Sequence, residues 1–320
     1  MSALLSVRGL SRQFGHGAQT LRIVHDISFD IARGEVLGMV GESGSGKTTI
    51  ARAALRLIEP SSGQILFDGQ DITRLAAGPM KTLRARMQYV FQDPYASLSP
   101  RLNVGEILTE GLRIQGIGPR AERLRRAREA LAQVELPGDA MSRYAHEFSG
   151  GQRQRIGIAR ALALDPALLV ADEPVSALDV SIQAQIINLL RGLQRRLGLS
   201  MLFISHDLAV VEYLCDRVIV LYLGRVMEMA PTETLYARPA HPYTRALLAA
   251  VPNPDPARRG ARQLLQGELP SVARPPSGCV FRTRCPAAQP ACAESVPALR
   301  EVAPGHWKAC LRDDVQDVLL

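Results

Sequence analysis

Long hydrophobic runs are missing from this chain of 320 residues. No stretch approaches the ~18–20 uninterrupted apolar residues that a membrane-spanning helix requires. Residues 1–8 also lack the order of charged and then apolar residues that marks a secretory signal. With 47% hydrophobic and 22% charged residues, the composition is that of an ordinary globular protein. We therefore predict a soluble, cytosolic chain that is still able to dock on a membrane protein.

Aromatic residues are also scarce, at 5% of the chain, and this bears on its basic segments. The net charge is +7, and arginines are densest at 120–128 and 191–196, both with helical patterns. A basic surface of this kind suits nucleic acid or lipid headgroups. However, no aromatic side chains stand between these arginines to stack on bases. We therefore favour solvated helix faces and predict no nucleic-acid partner.

Cysteine is scarce in residues 1–278, which contain one cysteine, Cys215. The other four lie within the last 42 residues: Cys279, Cys285, Cys292 and Cys310. In a cytosolic chain, four such cysteines are more often metal ligands than disulfide partners.

The strongest positive signal is a match to the phosphate-binding P-loop pattern, GxxxxGK followed by Ser or Thr. It consists of Gly41, Glu42, Ser43, Gly44, Ser45, Gly46, Lys47 and Thr48, followed by Thr49. An apolar strand precedes it and a helix follows it, so that backbone N–H groups and the helix N-terminus face phosphate oxygens. Lys47 would reach the β- and γ-phosphates, and the Thr48 hydroxyl would ligate Mg²⁺. We predict that the chain binds a nucleoside triphosphate.

Apolar strands alternate with helices along most of the chain, which predicts a parallel α/β sheet. The opening segments 4–9 and 27–31 are expected to be antiparallel. Further strands are expected at 36–40, 64–69, 87–92, 167–171, 200–205 and 217–221, with helices at 179–196 and 207–215. Residues 100–164 have helical periodicity and form an insertion. After about residue 236 the prolines indicate a linker-like tail. No internal repeat is visible, so the chain holds one nucleotide-binding unit.

Two carboxylates, Asp172 and Glu173, follow the apolar strand 168–171. Because the ends of parallel strands meet the P-loop at one edge of a sheet, Asp172 would support Mg²⁺. Glu173 would orient or deprotonate the attacking water. A second anion cradle is predicted where Phe148 precedes Ser149, Gly150, Gly151 and Gln152 at the start of an arginine-rich helix. Two phosphate-binding surfaces and one P-loop suggest that two chains share each ATP.

With these motifs in this order, residues 1–240 resemble the ATP-binding subunits of ABC transporters. The resemblance implies a P-loop, RecA-like ABC ATPase core with an antiparallel β subdomain, a helical subdomain at about 96–164 and a C-terminal extension over 241–320. It implies that Phe14 stacks on adenine, that Gln92 ligates Mg²⁺, and that residues 149–152 contact the γ-phosphate in the opposite subunit. Residues 176–179 resemble the loop of the dimer contact, and His206 resembles the switch histidine that holds Glu173 and water in line.

The segments 89–100 and 171–185 resemble the dipeptide and oligopeptide importer ATPases, in particular their second, F-type subunit, and 241–248 resembles the start of that group's extension. The resemblance implies a second ATPase subunit, most simply in a heterodimer, two transmembrane permeases and, indirectly, a substrate-binding protein. It implies a peripheral position on the cytoplasmic face of the membrane. Nickel and glutathione importers use similar ATPases, and a soluble ABC ATPase that acts on DNA or ribosomes is the remaining alternative.

The cysteine spacing, C-x5-C-x6-C-x17-C, is wider than the tight hooks typical of zinc sites. Four thiolates suit a 4Fe–4S cluster, which the resemblance to peptide-importer ATPases also implies in this extension. Arg274, Arg282 and Arg284 are expected to favour thiolates. Zinc, uncommitted thiols and an independent redox sensor remain as alternatives.

Overall fold

A computed structural model describes residues 3–15, 20–251 and 267–313 of the chain. Contacts divide the chain into two compact units, each built from several segments. Unit 1 consists of Met1–Ser6, Asp30–Val36 and Leu66–Ile204, and unit 2 of Val7–Phe29, Leu37–Ile65 and Ser205–Leu320. The domain boundary at residue 240 stays a prediction.

The first half of the chain forms β1 (Ala3–Phe14), β2 (Leu21–Ala32), β3 (Val36–Val40), α1 (Lys47–Ala54), β4 (Ser62–Phe67), β5 (Gln70–Asp71), α2 (Ala77–Arg86), β6 (Met87–Val90), α3 (Pro94–Ser97), α4 (Val104–Ile114), α5 (Arg120–Gln133) and α6 (Gly150–Leu162). The second half forms β7 (Leu168–Asp172), α7 (Val180–Leu197), β8 (Ser200–Ile204), α8 (Leu208–Leu214), β9 (Arg217–Tyr222), β10 (Arg225–Pro231), α9 (Thr232–Ala237), α10 (Pro242–Ala249), α11 (Ala291–Glu294), β11 (Arg300–Ala303) and β12 (His306–Lys308).

Unit 1 contains three parallel strands, β6, β7 and β8. Every residue of β7 and β8 is buried, which explains why both strands are apolar except at Asp172 and Ser200. Val90 pairs with Ala171, and Asp172 pairs with Ile204. The loops that follow β6 and β7 therefore leave the sheet at the same edge. The predicted strand 87–92 ends two residues early, at Val90, so Gln92 lies in a loop rather than in a strand.

The helical part of unit 1 begins at α3, close to the predicted boundary of residue 96. Asp93 caps α3 by accepting from the N–H groups of Tyr95 and Ala96. Asn103 and Ser149 cap α4 and α6, each in a reciprocal capping box with a residue three positions on. On α5, Arg125 and Arg126 pair with glutamates of the same helix, as expected of a solvated helix face. Within the described ranges, no helix is both long and apolar enough to cross a membrane.

Unit 2 contains the parallel pair β3 and β9, in which Val40 lies opposite Val220. The antiparallel strands β10, β12 and β11 extend it from β9 in that order. The prediction of a linker-like tail is therefore wrong for the residues the structure describes, because the tail adds the strands β11 and β12 to the sheet. Pro242 begins α10 at a position where its missing N–H costs nothing. Pro252, Pro254 and the rest of the predicted linker at 252–266 lie outside the described residues.

The tail is joined to the sheet through one buried carboxylate. Glu228 of β10 is fully buried and accepts from the backbone N–H groups of Ala240 and His241 at 2.7 and 2.9 Å. His306 Nε2 lies 2.7 Å from the same carboxylate. These three partners compensate the cost of burying a charge, and they fix the start of α10 and the strand β12 to β10.

Candidate nucleotide site

The P-loop of unit 2 follows β3 and closes at the N-terminus of α1. Gly41 has a φ of 154°, and a Cβ atom there would lie 2.2 Å from the carbonyl oxygen of Leu221. Gly46, with a φ of 98°, is the N-cap of α1. Only glycine fits both positions without strain, so these two residues of the pattern are required by the backbone itself.

Two polar side chains of the P-loop are directed into the loop rather than into solvent. Lys47 is buried, and its Nζ donates to the carbonyl oxygens of Gly41 at 2.8 Å and Glu42 at 3.1 Å. The buried Ser45 Oγ has no hydrogen-bond partner among the described residues. Because an unpartnered buried hydroxyl is costly, this atom indicates a place for an external oxygen ligand such as phosphate.

The turn between β9 and β10 supports the P-loop from behind. Gly224 N–H donates to the carbonyl oxygen of Ser45 at 2.9 Å, and its own carbonyl accepts from His25 N–H at 2.9 Å. A Cβ on Gly224 would lie 1.9 Å from the carbonyl oxygen of Ile23. The loop is thus held by backbone contacts that tolerate no side chain.

The other predicted nucleotide-site residues of unit 2 are accessible. Phe14 is 40% exposed, and the guanidinium of Arg12 lies 4.5 Å above its ring. Residues 16–19, shortly after Phe14, lie outside the described residues. His206 is exposed beside Ser205, whose N–H donates to the carbonyl oxygen of Met39 in β3 at 3.3 Å.

Unit 1 brings three of the predicted residues together at the edge of its sheet. Gln92 Nε2 donates to Glu173 Oε2 at 2.9 Å and to Ser176 Oγ at 3.3 Å. Glu173 has a φ of 46°, a region that few residues other than glycine adopt. Its N–H donates to the carbonyl oxygen of Ile204 at 3.0 Å. Strained backbone of this kind is concentrated at functional sites, and here it turns a carboxylate toward the loop that carries Gln92.

Asp172 has a partner that the sequence reasoning missed. Tyr89 of β6 donates its hydroxyl to Asp172 Oδ2 at 2.5 Å, and both residues are buried. A tyrosine in a buried strand normally requires a partner for its hydroxyl, and the neighbouring strand end supplies one. This bond fixes the orientation of the Asp172 carboxylate.

The second predicted cradle lies at the N-terminus of α6. Ser149 Oγ accepts from Gln152 N–H at 3.4 Å, and Gln152 Oε1 accepts from Ser149 N–H at 3.1 Å. A Cβ on Gly151 would lie 2.5 Å from Ile182 Cγ2 of α7, so packing explains this glycine. The arrangement leaves a helix N-terminus at the surface of unit 1, as an anion cradle requires.

Two arginines of α6 are structural ties to α3. The guanidinium of Arg153 lies 4.1 Å above the ring of Tyr95, and Arg160 Nη1 donates to the carbonyl oxygen of Ser97 at 2.6 Å. The helix that carries Ser149 to Gln152 is therefore joined to the segment just after Gln92.

The four clustered cysteines converge in unit 2. Cys279, Cys285, Cys292 and Cys310 line one small cavity together with Phe281 and Leu311. Even so, no three or more His, Cys, Asp or Glu side chains within the described ranges are grouped so as to hold a metal ion. The geometry therefore does not support the predicted cluster, although the donor type and number do.

The expectation that nearby arginines favour thiolates is wrong. Burial raises the pKa of Cys279 and of Cys310, and it raises the pKa of Cys285 to about 11. Arg282 is occupied instead with Ser277, and Arg284 with Glu42 of the P-loop. Desolvation disfavours the charged form of a thiol, and at Cys310 it outweighs the nearby positive charges of Lys308 and Arg300.

Comparisons with known proteins match the chain in two parts. Residues 24–176 match the ABC transporter family, and residues 227–292 match the family described as oligopeptide/dipeptide transporter, C-terminal region. A putative peptide import ATP-binding protein of Brucella ovis is 71% identical over 312 residues, which cover 98% of each chain. The oligopeptide transport ATP-binding protein AppF of Bacillus subtilis is 52% identical, over 91% of this chain and 89% of the relative.

Solved structures support the same fold. The structure of cbiO1 from Clostridium perfringens, described as part of the ABC transporter complex cbiONQ, has a TM-score of 0.67 and 30% identity, and the match covers 74% of this chain and 92% of that one. The ATP-binding cassette MJ0796, in a dimeric post-hydrolysis state bound to ADP and Pi, has a TM-score of 0.65 and 28% identity, over 71% of this chain and 98% of that one. The predicted P-loop ABC ATPase fold is thereby confirmed.

Proposed function

Because the chain belongs to the ABC transporter ATPases of the oligopeptide and dipeptide group, we propose that it hydrolyses ATP to drive the import of peptides. The pairing of Gln92 with Glu173 carries the catalytic part of this proposal. The near full-length similarity to a peptide import protein supports the choice of cargo. Related nickel and glutathione importers remain the alternative.

In this proposal the P-loop residues 41–49 bind the phosphates, with Lys47 as the main positive charge. Glu173 acts as the general base that takes a proton from the attacking water. Gln92 orients the Glu173 carboxylate, and Asp172 is held by Tyr89. His206 donates to the γ-phosphate, Phe14 stacks on the adenine, and residues 149–152 contact the γ-phosphate of the partner subunit.

Mg²⁺ would be held by Thr48 and Gln92, whose hydroxyl and amide oxygens are the hard donors that this ion prefers. The ion would neutralise charge on the phosphate oxygens. Ser45, with its unpartnered buried hydroxyl, supports the view that the P-loop is built around an oxygen ligand. Asp172 then contributes a buried negative charge that its bond from Tyr89 keeps in one orientation.

ABC ATPases of peptide importers work with transmembrane permeases. We propose two permeases, a second ATPase in a heterodimer, an indirectly engaged substrate-binding protein, and a peripheral position on the cytoplasmic face of the membrane. The ties from α6 to Tyr95 and Ser97 support a route for coupling. ATP-driven closure would act on α6, and α3 would pass the movement to the permeases.

Affinity purification of the tagged chain from detergent-solubilised membranes of its own cell tests this proposal. We expect two multi-span permeases and a second ATPase to co-purify, and the permeases would then lead to the cargo. An otherwise identical preparation carrying only the tag is the control. Recovery of soluble partners alone, of DNA or of ribosomes would contradict the transporter proposal.

We also keep the iron–sulfur cluster as a proposal, supported by the donor set rather than by the geometry. Full-length protein purified without oxygen is expected to show visible absorption and about four irons per chain. Cys285→Ser should lower the iron content. Cys215→Ser, a change of the buried cysteine outside the cluster, should not. One zinc per chain, or no metal at all, would contradict the cluster.

A further inference from the structure

The second residue of the P-loop is free to vary in the motif, yet in this chain it is firmly engaged. Arg284 binds the Glu42 carboxylate with both of its terminal nitrogens, Nη1 to Oε2 at 2.6 Å and Nη2 to Oε1 at 3.0 Å. The Arg284 side chain is 7% exposed and that of Glu42 is 27% exposed. A bidentate pair in such a sheltered place fixes both position and orientation. The two residues are 242 positions apart in the chain.

The C-terminal extension also contacts the backbone of the same residue. The Tyr243 hydroxyl accepts from Glu42 N–H at 3.1 Å. Tyr243, Tyr222 and Phe281 are fully buried and pack against one another, with ring centroids 4.8 to 5.3 Å apart. Because these rings are held in a packed core, the Tyr243 hydroxyl has a fixed position. Its hydrogen bond therefore fixes the orientation of the peptide between Gly41 and Glu42.

Arg284 itself is fixed by its neighbours. Its N–H donates to the carbonyl oxygen of Phe281 at 3.0 Å, and its Nη1 lies 3.4 Å from the Tyr222 hydroxyl. The preceding turn is closed by Arg282 N–H, which donates to the carbonyl oxygen of Cys279 at 3.1 Å. The guanidinium is therefore presented to the P-loop by a folded segment and not by a flexible side chain alone.

This pairing has an electrostatic consequence for a loop that binds an anion. A carboxylate within a phosphate-binding loop repels the triphosphate, and the repulsion is weakly screened where water is partly excluded. The Arg284 guanidinium compensates that charge. With Arg284 removed, Glu42 would be an uncompensated negative charge inside the proposed ATP site.

We propose that Arg284 of the C-terminal extension is a positioning residue for ATP: it neutralises Glu42 and, with Tyr243, fixes the start of the P-loop. The inference rests on the proposed function, because it assumes that the P-loop binds ATP. It assigns the extension a direct part in nucleotide affinity.

Equilibrium binding of ATP by the full-length chain, with turnover measured in the purified complex, tests the inference. Arg284→Met should weaken ATP affinity about tenfold, as expected when a charge beside an anionic ligand loses its partner. Turnover at saturating ATP should change by no more than about twofold, because a residue that affects only the binding of the nucleotide changes affinity and leaves the chemical step alone. Adding Glu42→Gln should restore most of the affinity, because no uncompensated carboxylate then remains.

Arg282→Met is the matched control, since it removes the same charge at a position two residues from Arg284. Among the contacts described, the Arg282 side chain hydrogen-bonds only to Ser277. Equal affinities of the Arg284→Met and Arg282→Met variants would overturn the inference. So would a double variant as weak as Arg284→Met alone, because that result indicates packing and not charge. If Arg284→Met does not fold, Arg284→Lys is measured instead. Its ATP affinity should lie between that of wild type and the tenfold loss expected without any partner for Glu42, because lysine cannot pair bidentately. Failure of wild type to bind ATP would contradict the proposed function, and with it the assumption of this inference.

Discussion

Glu173→Gln is expected to lower ATP turnover by roughly 10²–10⁴-fold while ATP binding stays close to that of wild type. This is the usual contribution of a positioned general base. The amide has almost the shape of the carboxylate, and its oxygen can still accept from Gln92 Nε2, which lies 2.9 Å from Glu173 Oε2 in the native protein. The change therefore removes the ability to take a proton and leaves the loop in place.

The strained backbone at Glu173 makes this substitution a clean one. The Glu173 φ of 46° is held by two hydrogen bonds. Glu173 N–H donates to the carbonyl oxygen of Ile204, and the Ser176 hydroxyl donates to the carbonyl oxygen of Glu173 at 3.1 Å. Glutamine has the same backbone preferences as glutamate at this position, so neither the strain nor its compensation changes. A lower ATP turnover with an unchanged stability of the fold would then indicate that the substitution affects the chemical step.

Phosphate release by the purified complex, with ATP affinity measured in parallel, checks the expectation. Glu129→Gln is the matched control, because it makes the same exchange on the exposed face of α5, where the pair with Arg125 contributes little. Turnover of Glu173→Gln within about twofold of that control would show that Glu173 is not the base. A matching loss of ATP affinity would instead assign it to binding.

The parts of the candidate site that can be predicted from the sequence are those whose chemistry requires particular residues at short spacing. Gly41, Gly46 and Lys47 serve one loop, and the strand before them and the helix after them are their immediate neighbours. Glu173 follows directly on a buried strand. In each case local geometry and chemistry demand the same residue types, so the pattern is readable without the fold.

The features that were missed depend on residues far apart in the chain. Arg284 meets Glu42 in a tail that packs through Phe281 against Tyr222 and Tyr243. The tail strands β11 and β12, with four and three residues, are too short to show a distinctive periodicity. Tyr89 and Asp172 lie on different strands, so their bond depends on sheet order. The prolines of the tail indicated a linker because proline is read locally, whereas Pro242 begins a helix.

Lys47→Ala should weaken ATP binding by about 3 kcal/mol, on the order of a hundredfold, because it removes the buried positive charge of the P-loop. Thermal unfolding with and without ATP measures this: a ligand at 100 times its Kd stabilises the fold by about 2.7 kcal/mol, and at its Kd by only about 0.4 kcal/mol. At one ATP concentration the upward shift in Tm should therefore nearly vanish in the variant.

Lys47 also donates to the carbonyl oxygens of Gly41 and Glu42, so each variant is compared with its own nucleotide-free Tm. Lys81→Ala, on the exposed face of α2, is the control and should keep the full shift. A full shift in Lys47→Ala would contradict the proposed role of the loop. A lost shift beside a preserved one in Glu173→Gln would separate the residue that binds the phosphates from the residue that activates water.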